Sequence, residues 1–148
     1  MDRPTDAIDL PSGAWVALRD TRKLTQGQRE EAQIAWYAVS APVRELMKAR
    51  QSIDEGDLEG IEQADRVLEE ATGPEDMRAL FHLNRVISAT VIAAWSFDAP
   101  VSPEAIRDLS AEDYDAVLKA GAQHSNEVLA GVDFTPTRPG EESPTGPA

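Results

Sequence analysis

The only side chains able to act as imidazole bases or imidazole ligands are His82 and His124, and the chain has no cysteine. The two histidines fall in separate helical stretches, and neither has the HxxxH or ExxH spacing that sets metal ligands on one helix face. His82 lies one position off an apolar stripe. His124 lies near a helix end, where a cation suits the dipole. Both read as structural. No GxSxG elbow holds a serine nucleophile, and no glycine-rich loop cradles phosphate. Glu69, Glu70, Glu75 and Asp76 flank Thr72–Pro74 but lack the alternating oxygen-ligand spacing of a calcium loop, so they read as a solvated acidic corner. The sequence therefore predicts no catalytic, metal or cofactor site, and no enzyme.

The residues left for function are apolar. Trp95, Phe97, Pro100, Ile106, Leu109 and Tyr114 gather where one helix gives way to the next. Such a cluster either plugs a corner of the core or forms a groove for an apolar partner segment. With an acidic rim, that groove would favour a helix carrying basic residues.

The rim follows from composition. Net charge is −13 and the pI about 4.4, which argues against nucleic acid and anionic membranes, since both need a positive footprint. The acids are dispersed rather than rowed at phosphate spacing, which argues against DNA mimicry. Self-repulsion leaves room for weak self-association at most. The amino terminus, MDRPTDAIDLPSG, has no apolar core for a signal peptide, and without cysteines there is no disulfide framework. A cytoplasmic protein is expected.

The elements that position these residues are mostly helical. With 148 residues the chain fits one domain with a real core. Leu80–Asp98 reads as the central helix, with a stripe at Met77, Leu80, Phe81, Ile87, Val91, Ala94 and Trp95 and no charge between Arg85 and Asp98. At this length it cannot span a bilayer, which takes about 20 apolar residues. Residues 1–7 read as a flexible arm. IDL, a PSG turn and AWVALRD read as a hairpin with Trp15, Ala17 and Arg19 on one face, needing a helix or another chain to cover it. Thr25 and Gln28 form a capping box for a first long helix, which Pro42 should kink rather than end, a split at Ser40–Ala41 being the alternative. A weaker helix runs from Leu58 to Ala71, and Pro74 opens the central one. Ser102 starts a short helix, and Ser110 with Asp113 a second capping box before a last helix ending at Gly131. Residues 132–148 are proline, glycine and acid without periodicity, and read as disordered. The expectation is a mainly α domain over residues 8–131, of about four to five helices with a short N-terminal β-hairpin.

Several of these segments carry a likeness. WSFDAP at Trp95–Pro100, EAIRDL at Glu104–Leu109 and EDYDA at Glu112–Ala116 resemble the tail assembly chaperones of long-tailed bacteriophages. LPSGAWVALRD, followed by the TQGQR helix start, is similar to their opening. The likeness spans roughly residues 8–122 and contains no catalytic signature. It implies a helper outside the virion that binds the long helical tape measure protein and keeps it soluble while tail tube subunits polymerise around it. It also implies that the tail beyond Phe134 is a place for a programmed frameshift. A structural adaptor of the head–tail joint and a helical regulator of a host protein are the alternatives.

Overall fold

The computed structural model describes residues 2–130 and 132. Strand β1 (Ile8–Asp9) turns through Pro11–Gly13 into β2 (Trp15–Leu18). Gly13 sits at φ +94°, a conformation that glycine adopts without strain. A 3-10 turn at Thr21–Lys23 leads to α1 (Gln26–Ala38), α2 (Ala41–Gln51), α3 (Leu58–Ala71) and α4 (Pro74–Val91). Strand β3 (Ile92–Trp95) follows, then α5 (Pro103–Arg107), α6 (Ala111–Ala122) and α7 (Ser125–Val128). The mainly α fold with an N-terminal hairpin stands. The described residues form seven helices, more than the four to five expected, because two long periodic stretches are each broken in the middle.

The first break is at Val39–Ser40, so Pro42 splits the predicted helix instead of kinking it. Val39 takes an extended conformation (ψ 139°), and Pro42 sits in the first turn of α2, where its missing N–H costs nothing. The corner is held from outside: the Ser40 N–H and hydroxyl both donate to the Asp76 carboxylate, each at 2.9 Å. Asp76, read as part of a solvated corner, is thus a structural acceptor. The second break follows Ala122, with Gln123 as C-cap and His124 opening α7. The predicted stop at Gly131 and the predicted tail, Val132 apart, lie outside the described residues.

The central helix also ends earlier than expected, at Val91 and not Asp98. Thr90 turns its hydroxyl back to the Val86 carbonyl (2.8 Å), a bond that loosens a helix end. The β-branched Val91 and Ile92 then favour extended backbone. Arg19 accommodates the change: its N–H donates to the Val91 carbonyl at 2.7 Å and its Nε to the Thr90 carbonyl at 3.1 Å. Strand β3 pairs antiparallel with β2, giving sheet order β1-β2-β3, so the hairpin is completed by its own chain. Val16 faces Trp95, Ala17 faces Ala94 and Leu18 faces Ile92, leaving Ala93 as the extra residue of a bulge. In a regular strand, residues three apart point to opposite faces. The bulge removes one step, and Ile92 and Trp95 enter the same core.

Two apolar clusters result. One packs Trp36, Val39, Val43, Leu83, Ile87 and Val91 between α1, α2 and α4, with Val128 and Leu129 closing one end. The other packs Val16, Ile92 and Trp95 against Ile106 and Val117 from α5 and α6. α4 serves both, and Leu18 packs against each. Asp113, only 2% exposed, accepts from the Ser12 N–H (3.0 Å) and hydroxyl (2.5 Å), which ties the hairpin turn to the start of α6. The Ser110 hydroxyl does cap the Asp113 N–H, but the Asp113 carboxylate reaches Ser12, so the reciprocal half of the expected capping box is absent. The Thr25–Gln28 box is complete.

Candidate functional site

Five of the six residues singled out at the exit of α4 come together as packing. Trp95 and Ile106 are buried, and Phe97, Leu109 and Tyr114 are partly buried around them, while Pro100 is exposed. Trp95 and Phe97 meet edge to face, centroids 5.1 Å apart at 84°, the arrangement that aromatic quadrupoles favour. The Trp95 indole N–H donates to the Ala99 carbonyl at 2.7 Å and so closes the SFDA turn. This geometry fits the corner-plug reading, and it leaves mainly the edges of Phe97, Leu109 and Tyr114 for any partner.

The polar candidates lie apart. His82 is exposed on α4. His124 is half-buried between α6 and α7, its Nδ1 3.5 Å from the Thr21 hydroxyl and 3.7 Å from Glu127. Among the described residues no group of three His, Cys, Asp or Glu side chains is placed to hold a metal ion. No helix among them is long and apolar enough to cross a membrane.

One exposed apolar surface on α4 was not anticipated. Met77 and Phe81, read as part of the buried stripe, are each 46% exposed on α4. The buried face of α4 is instead Leu83, Val86, Ile87 and Val91. The physical reason is where α6 ends. Met77, Phe81, Asn84 and Ser88 follow the 4-3-4 spacing of one helix face. Gly121 of α6 covers that face only at Ser88, so closely that an added Cβ would stand 2.9 Å from the Ser88 Cα. Two and three turns earlier nothing from α6 reaches it, and Met77 and Phe81 are left open.

α3 stands across from them. Its apolar side, centred on Ile61, Ala64 and Leu68, is only partly covered, and no residue of the helix is buried. It packs on α2, helped by the Arg50–Asp65 pair at 2.8 Å, and only slightly on α4. Between α3 and α4 lies a hollow of about 340 Å³ floored by Leu68, Leu80, Met77 and Phe81, with Asp65 and Glu69 on its rim. Through Leu68 and Asn84 it adjoins a larger one of about 510 Å³ between α2 and α6, lined by Met47, Leu83 and Leu118. The only sequence signal for this groove was the scarcity of bulky residues in α3, too few to close over α4. A separate exposed apolar patch is formed by Ile34 and Tyr37 on α1, with the Arg44 guanidinium 4.9 Å above the Tyr37 ring.

Compared with known proteins, the chain matches no family model, no curated protein and no solved structure.

Proposed function

We propose that this protein is a binding protein and not an enzyme, and that it acts in the cytoplasm as a tail assembly chaperone of a long-tailed phage. Its client would be the tape measure protein, kept soluble until tail tube subunits enclose it. The observation that carries the binding reading is the open apolar surface of Met77 and Phe81 set in an acidic protein. Exposed apolar surface of this kind, rimmed by charge, marks interaction sites. The identity of the client rests on the likeness of the segments at Leu10–Asp20, Trp95–Pro100, Glu104–Leu109 and Glu112–Ala116.

A long amphipathic helix with no tube around it exposes apolar stripes and aggregates. A small, strongly acidic binder covers part of such a stripe and confers its own net repulsion on the complex. The test is co-expression with a tape measure protein from the same genome. The expected result is a larger soluble fraction of the client, co-purification of the two, and absence of this protein from finished particles by mass spectrometry. An unchanged soluble fraction without co-purification overturns the proposal. Fixed stoichiometry in particles would replace it with a structural adaptor of the head–tail joint.

A further inference from the structure

We infer that the groove between α3 and α4, centred on Phe81 and Met77, is the docking site for an amphipathic helix of a partner protein, with an apolar stripe flanked by Lys and Arg. The inference deepens the binding reading above and rests on it.

Three observations select this groove and its occupant. First, both walls are incomplete. α3 has a segregated apolar face with no buried residue, and α4 leaves Met77 and Phe81 uncovered beyond the reach of α6. An amphipathic helix is normally stabilised by covering its apolar face, and a third helix laid in the hollow would cover Leu68 of α3 together with Met77 and Phe81 of α4. Second, the dimensions suit a helix. The hollow follows α4 from Met77 to Asn84, seven residue steps or about 10 Å, which matches roughly two turns of an occupant. Third, the charge is one-sided. From Asp57 to Arg78 the chain holds eight acids against two arginines. Glu69 stands on the rim beside Asp65, which is already paired with Arg50, and Glu70 and Glu75 are exposed nearby. Apolar anchors in an acidic frame select a basic helix in the helix-in-groove manner. The same charge disfavours a second copy as occupant, because two such rims would face each other in a chain of net charge −13.

The test uses the full chain and two labelled synthetic helical peptides of three to four turns. Both carry leucine on one face; one has lysine and the other glutamate on the rest. Fluorescence anisotropy is expected to show binding of the lysine peptide, weakened by salt, and none of the glutamate peptide. Met77→Ser with Phe81→Ser should weaken binding at least tenfold, and because both side chains are exposed the fold survives, as circular dichroism will verify. Ile34→Ser with Tyr37→Ser should leave binding unchanged. Wild-type affinity in the Met77/Phe81 variant overturns the inference. Loss of binding only in the Ile34/Tyr37 variant, or only in Phe97→Ala with Tyr114→Ala, also overturns it, moving the site while the binding reading stands. A dimer in sedimentation that Phe81→Ser dissolves assigns the groove to a second copy and overturns the basic-helix assignment. If neither peptide binds, the groove assignment fails, and co-expression with the tape measure protein separately decides the binding reading.

Discussion

Replacing Gly121 by alanine sets two effects of opposite sign against each other, and the structure decides between them. Gly121 is in the last turn of α6, where alanine improves helix propensity by about 0.8–1.0 kcal/mol. Against that, the new Cβ would lie 2.9 Å from the Ser88 Cα and 3.0 Å from its Cβ, with Ser88 Oγ nearer still. Ordinary carbon contacts are about 3.5–4.0 Å, so α6 must withdraw from α4 by roughly 0.6–1 Å. Two of the three obstructing atoms are fixed to the α4 backbone or next to it, and no rotamer change removes them. Overpacking of this kind costs about 1–3 kcal/mol. With helix displacement required, the upper half of that range applies, for a net loss of about 1–2 kcal/mol. For a chain of this size that lowers Tm by about 2–8 °C. Urea denaturation followed by far-UV circular dichroism measures the same loss as a shift in midpoint at unchanged slope. Ser88→Ala provides the internal check. Ser88 Oγ is buried with no hydrogen-bond partner among the described residues, so its removal should be neutral or stabilising. In the Ser88→Ala background the cost of Gly121→Ala should shrink by at least about 0.5 kcal/mol. A Gly121→Ala protein as stable as the wild type, or more so, would refute the close α4–α6 crossing, and with it the reason why Met77 and Phe81 are uncovered.

Other consequences are open to direct measurement. A double-mutant cycle on Ser12 and Asp113 should return a coupling of about 1.5–3 kcal/mol, the range for hydrogen bonds to a charged group; coupling near zero would mean that the hairpin turn is not anchored to α6. Asp20 accepts from the Arg22 side chain at 3.1 Å and from its backbone N–H, which hold the Asp20 carboxyl below its ordinary range. Its contribution is therefore present above the usual carboxylate pKa and is lost as the pH falls through the lowered value. Carboxyl NMR titration should place Asp20 below the ordinary aspartate range, and Arg22→Ala should move it upward toward that range; no movement on that substitution would contradict the pair.

What could be read from the sequence were features determined within one element. The Thr25–Gln28 box, Pro74 opening α4, the PSG turn with Gly13 at positive φ and Ser102 starting α5 all depend on neighbours a few residues away. The clearest misreading has a physical cause. The helical stripe was carried on through Val91, Ala94 and Trp95, yet Ala94 and Trp95 lie on a strand, whose bulge at Ala93 sends Ile92 and Trp95, three apart, into one core. Periodicity alone cannot separate the two for a short apolar run. Only the presence of β2, dozens of residues upstream, and of Arg19 on the last α4 carbonyls settles it.

The candidate site divides the same way. Composition determined that the protein is acidic, and periodicity with helix caps that it is mainly helical. Which apolar residues would be open was a tertiary matter. Trp95, Ile106 and Val117 are buried together because α5 and α6 fold back over the sheet. Met77 and Phe81 share a helix face with Ser88 but are exposed because α6 crosses α4 at Gly121 and goes no further. A helix face is written in the sequence, whereas its cover is supplied by whichever element arrives there, and that depends on contacts far apart along the chain.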